Sequence, residues 1–226
     1  ALVLAPEGRI LEKKSPLHPV MEVMDALDLE GSGELLAQDI ISGLHTAAED
    51  ERIKLLVIEP DMLEQAGFDQ LRDIGKAVEV FKESGKPVIS FADTYSQGQY
   101  YLASLSDEIY LSPMGSVDLY GFGVFQLYMR QLFERLNINF HIFRVGAFKA
   151  AVEPIIRDDM SPEAKDDNRQ WLTSLWTGFR QDIARQRGLL PQAIQDMVDD
   201  LGKRMDSFQG DSAAMALGER LVDGLK

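Results

Sequence analysis

The sequence predicts an α/β protein with a mostly parallel sheet and flanking helices. Short apolar runs, typical of strands buried on both faces, alternate along the chain with amphipathic segments of helical spacing. This βαβ order favours parallel pairing with helices on both faces of the sheet. The 226 residues suit a single domain, with a core over about residues 1–160 and a helical extension over about residues 161–226.

The elements of the first half follow from apolar runs and from the residues that break them. IKLLVI and PVISFA are continuous apolar runs of strand length, and a glycine ends the second amphipathic segment at Gly85. The predicted elements are a strand at 2–5, a Gly-, Pro- and Ser-rich excursion over 6–33 that is partly helical near 19–29, a helix over 34–50, a strand at 53–58, a helix over 68–84 and a strand at 87–92.

The second half begins with the same alternation and ends in helical sequence. The predicted elements are a helix over 97–105, a strand at 108–111, a Gly-rich stretch over 115–123, a helix over 124–136, a strand at 140–145 and a mostly helical region over 162–226 with breaks near 188–191 and 210.

Composition excludes several classes of site. The chain has no cysteine, which excludes disulfides, thiolate metal sites and a cysteine nucleophile. Its three histidines, His18, His45 and His141, lie far apart in the sequence, so neither a metal nor a cofactor is predicted. The 37 acidic residues against 23 basic ones give a net charge of −14, which makes nucleic acid a poor partner.

Phosphate-binding motifs are absent from the sequence. There is no G-x-x-x-x-G-K-[ST], and no G-x-G-x-x-G follows the first strand. The segment Gly121-Phe122-Gly123 is a lone G-x-G, and we interpret it as a tight turn.

Ser96 lies at a corner where a buried strand passes into a helix. Nucleophiles and backbone N–H donors are often presented at such corners, although the sequence has no G-x-S-x-G. A serine at this position also suits a helix N-cap, whose oxygen accepts from the first helical turn. The N-cap is the favoured interpretation of Ser96, and nucleophile is the alternative.

Lys149 stands among small and apolar residues. Its segment reads Val145-Gly146-Ala147-Phe148-Lys149-Ala150-Ala151-Val152, and the nearest acid in sequence is Glu153. A lysine removed from water loses its proton more easily and can then act as a general base. Most lysines lie at the protein surface, so without further information a surface position is the more common one for Lys149.

Four segments together resemble the long form of the signal peptide peptidase A family, bacterial membrane-anchored serine peptidases. The segments are YSQGQYYLAS at 95–104, LSP at 111–113, FRVGAFKAAVEP at 143–154 and IRDDMSP at 156–162. The resemblance runs along nearly the whole chain and covers the amino-terminal half of such an enzyme. It implies a crotonase-like (Clp-protease-like) domain, of which the long form has two in tandem that share one active site.

The resemblance assigns Lys149 as the general base of a Ser/Lys dyad. The family's nucleophilic serine belongs to the carboxy-terminal copy, and in this half the corresponding position falls on Gly98, which has no hydroxyl. The family's Gly-Gly turn after the second core strand falls in residues 59–67, which contain one glycine, so a working oxyanion hole is not expected in this half. Lys149 is thus the one catalytic residue predicted here.

The resemblance also implies partners and a location. The expected partners are a carboxy-terminal half that carries the serine, cleaved signal peptides as substrates, and further copies of the chain in a homo-oligomer. The expected location is the outer, periplasmic face of the bacterial inner membrane, with an anchor upstream of Ala1, where the sequence begins without Met.

Three other interpretations stay open at this point. The chain could be a non-catalytic assembly domain of the same oligomer, in which Lys149 only forms an ion pair. It could be an autonomous hydrolase that pairs Ser96 with Lys149. It could be a crotonase-like acyl-CoA binder, although no CoA-specific feature is visible and an acidic chain suits a polyphosphate poorly.

Overall fold

A computed structural model describes residues 1–13, 33–141 and 150–226. These residues form two compact units. Unit 1 consists of residues 1–120 and 179–226, and unit 2 consists of residues 121–178. The predicted helical turn near 19–29, most of the predicted strand at 140–145, and Lys149 itself lie outside the described residues.

The described strands all belong to unit 1. They are β1 (Leu2–Leu4), β2 (Gly8–Leu11), β3 (Glu34–Leu36), β4 (Leu56–Ile58), β5 (Leu63–Ala66), β6 (Val88–Ala92), β7 (Glu108–Leu111) and β8 (Gly224–Leu225).

The described helices lie in both units. They are α1 (Ala37–Glu49), α2 (Phe68–Glu83), α3 (Gln97–Ala103), α4 (Arg130–Arg135), α5 (Glu153–Ile156), α6 (Pro162–Arg187), α7 (Pro191–Asp199), α8 (Leu201–Ser207) and α9 (Ser212–Gly218), and a 3-10 turn spans Ala150–Val152.

Two parallel sheets organise unit 1. The larger has the strand order β1-β4-β6-β7-β8, and the smaller has the order β3-β2-β5. Every strand pair is parallel. The predicted class, a mostly parallel sheet with flanking helices, is therefore confirmed, as is the helical character of the last third of the chain.

The core of unit 1 lies where the central strands meet α2 and α3. Leu56 and Ile58 of β4 are fully buried on one face of the strand, and Val57, which points to the other face, is partly buried. Helix α2 buries one apolar stripe, which comprises Leu71, Ile74, Ala77, Val78 and Phe81. The spacing of these residues keeps them on one helical face, which explains why the sequence predicted this helix well.

Several short elements differ from the sequence prediction. Residues 6–33 were expected to be an excursion, yet β2 forms at its start and pairs with both β3 and β5. The predicted helix over 34–50 begins at Ala37, because residues 34–36 form β3. The predicted helix over 124–136 is wrong in its first half, since only Arg130–Arg135 is helical and no residue of that helix is buried.

An ion pair ties the last strand of unit 1 to helix α6. The Arg187 guanidinium, whose side chain is 7% exposed, donates to both carboxylate oxygens of Asp223 at 2.8 and 3.0 Å and to the carbonyl oxygen of Arg220 at 3.1 and 3.2 Å. Asp223 also accepts the Ile109 N–H at 2.8 Å. Burial alone would raise the pKa of Asp223, but these hydrogen bonds outweigh it and hold that pKa below its usual range.

We expect Asp223→Asn to lower the free energy of unfolding at pH 7 by about 1–3 kcal/mol, the usual range for a hydrogen bond to a charged group. A carboxyl with a depressed pKa stabilises the fold above its unfolded-state pKa of about 3.9, and this contribution is lost as the pH falls through the folded-state value. The deficit of the variant should therefore shrink below about pH 4. Urea unfolding at pH 7 and at low pH measures it.

Asp73→Asn is the matched control for this prediction. Asp73 pairs with Lys76 at 2.7 Å on the surface, where both side chains are more than half exposed. Such pairs contribute about 0–1 kcal/mol. An equal loss of unfolding free energy in the two variants would show that the ion pair between Arg187 and Asp223 stabilises the fold no more than an exposed pair does.

Candidate active-site region

The carboxyl ends of β4 and β6 form the corner at which the sequence placed candidate site residues. The two strands are parallel neighbours, with Ile58 paired to Ser90, so the loops that follow them leave the sheet side by side. Residues 59–62 follow β4, and residues 93–96 follow β6 and lead into α3. In open parallel sheets, ligand sites commonly lie outside this edge.

Ser96 is the N-cap of α3, so the favoured interpretation is confirmed. Ser96 and Gln99 form a capping box, in which the Ser96 side chain accepts from the Gln99 N–H and the Gln99 side chain accepts from the Ser96 N–H. The second of these bonds is 2.8 Å long. The sequence pattern S-x-x-Q is the ordinary signature of such a box. The Ser96 hydroxyl therefore has a structural partner in the backbone of its own helix.

Gly98 is the second residue of α3 and leaves room for a side chain. A Cβ built at Gly98 would have Leu71 Cδ1 as its nearest contact, at 3.8 Å, which is ordinary van der Waals separation. Packing around the Cβ position therefore does not require a glycine here.

Gln99 holds the two loops of the corner together, a role that the sequence analysis missed. Its buried side chain donates through Nε2 to the carbonyl oxygens of Asp61 at 3.2 Å and Leu63 at 2.9 Å, while its Oε1 accepts from Ser96. The capping-box pattern could have revealed the bond to Ser96. The bonds to the loop after β4 join residues 36 and 38 positions apart, so only the fold reveals them.

Asp61 places a carboxylate at the corner. Its Oδ1 accepts the Asp93 N–H at 2.8 Å, which occupies a backbone donor at the end of β6. An oxyanion that develops during acyl transfer needs free donors and no adjacent negative charge. The arrangement is therefore unfavourable for an oxyanion hole at this corner.

Tyr95 is fully buried beneath this corner. Its hydroxyl donates to the Tyr110 carbonyl oxygen at 2.8 Å and lies 3.2 Å from Ser90 Oγ, which in turn lies 3.0 Å from the Ile58 carbonyl oxygen. Burial raises the pKa of Tyr95 far above its ordinary value. The phenol therefore stays protonated and serves as a structural hydrogen-bond donor, which makes it unsuitable as a base.

Unit 2 carries the chain that follows Lys149. Lys149 precedes the 3-10 turn Ala150–Val152, which leads directly into α5, and a short connection then reaches α6 at Pro162. Within this region Glu153 and Ser161 are both buried and hydrogen-bonded to each other. The distance between Lys149 and any other residue lies outside what the structure describes.

Among the described residues, no cluster of three or more His, Asp or Glu side chains is arranged to hold a metal ion. Over the same residues, no helix combines the length and the apolar character needed to cross a bilayer.

Comparison with known proteins places the chain among peptidases. It is 39% identical to "Protease 4" of Salmonella typhi over 230 residues, which is 100% of this chain and 37% of that protein. It is 40% identical to "Protease 4" of Haemophilus influenzae, over 98% of this chain and 36% of that protein. The chain thus spans little more than a third of the length of these relatives.

A mutant of the 1510-N membrane-bound stomatin-specific protease is similar in structure, with a TM-score of 0.49 and 14% sequence identity over 100% of this chain and 78% of that chain. The sequence match to a family is more direct. Residues 80–226 match peptidase family S49, and this range includes the α3 corner, Lys149 and the whole of unit 2. The chain belongs to peptidase family S49.

Proposed function

We propose that this chain is the amino-terminal portion of a serine peptidase that degrades cleaved signal peptides, and that it supplies the general base of a Ser/Lys dyad. The observation that carries the proposal is the contrast between two positions. Gly98 occupies the place of the family's serine, at a corner where a Cβ would make only ordinary contacts, while the motif around Lys149 is complete. A base without its nucleophile implies that the serine comes from another part of the protein.

Lys149 would act in its neutral form. Its Nζ takes the proton of the serine hydroxyl as the oxygen attacks the peptide carbonyl carbon, and the resulting ammonium then returns that proton to the leaving amine nitrogen. Water hydrolyses the acyl-enzyme with the same lysine as base. The oxyanion donors would also belong to the serine-bearing part, because Asp61 occupies the equivalent corner in this chain.

Family membership supports peptide substrates, and the resemblance to signal peptide peptidase A supports signal peptides in particular. The same resemblance supports an oligomeric enzyme at the outer face of the bacterial inner membrane, held by an anchor upstream of this sequence.

A specific observation favours a second candidate function, that of an assembly domain. Phe125 and Leu127 of unit 2 are 98% and 74% exposed, and the neighbouring helix α4 buries none of its residues. Apolar surface of this kind commonly marks an interaction site. Assembly and catalysis are compatible, so the distinction lies in whether Lys149 is needed for turnover.

A serine-reactive fluorophosphonate probe tests the origin of the nucleophile. In the whole protein that contains this chain, we expect one labelled serine, and peptide mapping should place it outside residues 1–226. Ser96→Ala is the control, and it should leave labelling unchanged because the Ser96 side chain caps α3. A label on Ser96 would instead support the autonomous hydrolase and refute the proposal.

A further inference from the structure

Glu153 is unusual among the charged residues of this chain. Over the described residues it is the only acidic or basic residue that is buried as a whole, with 6% of its surface exposed. Glutamate is rarely buried in proteins unless it has hydrogen-bond or charge partners. Its burial therefore indicates that its carboxylate has specific partners within unit 2.

The Glu153 carboxylate is bound to the start of the long helix α6. Its Oε2 accepts the Ser161 N–H at 3.0 Å, and the Ser161 hydroxyl accepts the Ala164 N–H at 3.2 Å as the N-cap of that helix. The positive end of the dipole of a 26-residue helix favours a negative charge at this place. The contact thus satisfies the buried carboxylate and stabilises the first turn of α6.

The backbone around Glu153 is also tied down. The Arg157 N–H donates to the Glu153 carbonyl oxygen at 2.8 Å, which closes the single turn of α5. The Met129 N–H donates to the Pro154 carbonyl oxygen at 2.7 Å. The turn that contains Glu153 is consequently held at its side chain and on its backbone.

Lys149 is connected to this turn by three residues, which form the 3-10 helix Ala150–Val152. Helical turns have few backbone conformations, so fixing α5 also restricts the 3-10 turn before it, and Lys149 is bonded to the first residue of that turn. We propose that Glu153 is a positioning residue for the general base, because its carboxylate fastens the turn after Lys149 to the N-terminus of α6. This inference rests on the proposed function of Lys149.

Two substitutions of Glu153 in the whole protein distinguish the effect of the reach of its side chain on kcat from the effect of its charge. Glu153→Gln keeps the length of the side chain and an oxygen that can accept the Ser161 N–H, so kcat should stay within about 3-fold of the parent. Glu153→Asp keeps the charge but is one methylene shorter, so it should lower kcat by about 10- to 100-fold, as a displaced catalytic group does. KM should change by less than about 2-fold in both, since Glu153 is not expected to touch substrate.

Asp211→Ala is the matched control for loss of helix capping. Asp211 is the N-cap of α9 in unit 1, and its side chain accepts the Ala214 N–H at 2.8 Å. Its loss should lower the melting temperature of the protein, as the loss of an N-cap does, without lowering kcat. A similar fall of kcat in this control would show that destabilisation alone explains the effect of Glu153→Asp.

The outcomes are distinguishable from those of the proposed function. Full activity of Glu153→Asp, or a lower kcat for Glu153→Gln than for Glu153→Asp, would overturn the positioning role, the latter because the charge would then matter more than the reach. Lys149→Ala is measured alongside. If Lys149→Ala is active, the proposed function itself is wrong, and if it is inactive while Glu153→Asp is fully active, only the inference about Glu153 is wrong.

Discussion

Lys149→Ala in the whole protein is expected to lower kcat/KM for peptide hydrolysis by about 10³- to 10⁶-fold, the range seen when a nucleophile loses its activating base. Alanine cannot accept the serine proton, so the hydroxyl remains a weak nucleophile at neutral pH. Lys149→Arg should be as inactive as the alanine variant, because a guanidinium keeps its proton in proteins. Steady-state hydrolysis of a fluorogenic peptide measures both.

Lys165→Ala is the matched control for this prediction. Lys165 also belongs to unit 2 and forms an ion pair with Asp159 at 2.8 Å, with about half of its side chain exposed. Its removal should leave kcat/KM within about 2-fold, since exposed pairs contribute little. Activity that survives Lys149→Ala would make this chain an assembly domain and would move the search for the base to the rest of the protein.

Gln99→Leu is expected to lower the free energy of unfolding by about 2–4 kcal/mol. Leucine fills a similar volume but leaves the buried Leu63 carbonyl oxygen without its partner, which is unfavourable by about 1–3 kcal/mol. The Ser96 N–H and the Asp61 carbonyl oxygen also lose their partner, but both bonds are only partly buried and contribute less. Urea unfolding followed by circular dichroism measures the change. The slope against urea should stay the same, because the surface exposed on unfolding is little altered.

Gln192→Leu provides the same substitution at an exposed position. Gln192 lies on α7 and donates to Asp196 at 2.7 Å in an exposed hydrogen bond. We expect a change within about 0.5 kcal/mol, as is usual for surface substitutions. If the two variants were equally stable, the hydrogen bonds of Gln99 would have no net effect on the corner of β4 and β6.

The sequence predicts the central strands of the larger sheet well because residues 56–58 and 88–92 lie in continuous apolar runs of strand length. It does not predict β8, which lies in the region expected to be mostly helical. The smaller sheet also escaped prediction. Its strands are three or four residues long and partly exposed, so their pattern carries no clear period, and they form only because distant segments pair.

The helix predicted over 124–136 shows a different limit of sequence reasoning. The apolar residues of this stretch do recur with helical spacing, yet Phe125 and Leu127 are exposed and only residues 130–135 form a helix. Helical stability in proteins comes mostly from burying an apolar face. Within unit 2 this stretch buries no such face, so its pattern alone did not determine its structure.

The candidate site was predictable where its interactions are local. The N-cap role of Ser96 follows from residue type and from Gln99 three positions later. The carboxylate of Asp61 at the end of β6, and the bond between Glu153 and Ser161, depend on how separate loops meet. Residue type and spacing do not predict which distant loops come into contact. The position of Lys149 stays a prediction.

The ion pair between Arg187 and Asp223 lies next to β8, and the position of this strand in the larger sheet affects the order in which the chain can fold. Strand β8 pairs with β7 across more than a hundred residues, and the Tyr100 hydroxyl reaches the Leu221 carbonyl oxygen over a separation of 121 residues. Contacts of such long range form slowly because a large loop must close first. During synthesis, the larger sheet therefore stays incomplete until β8 has been made. Unit 2, a continuous stretch of chain, has been synthesised before that point.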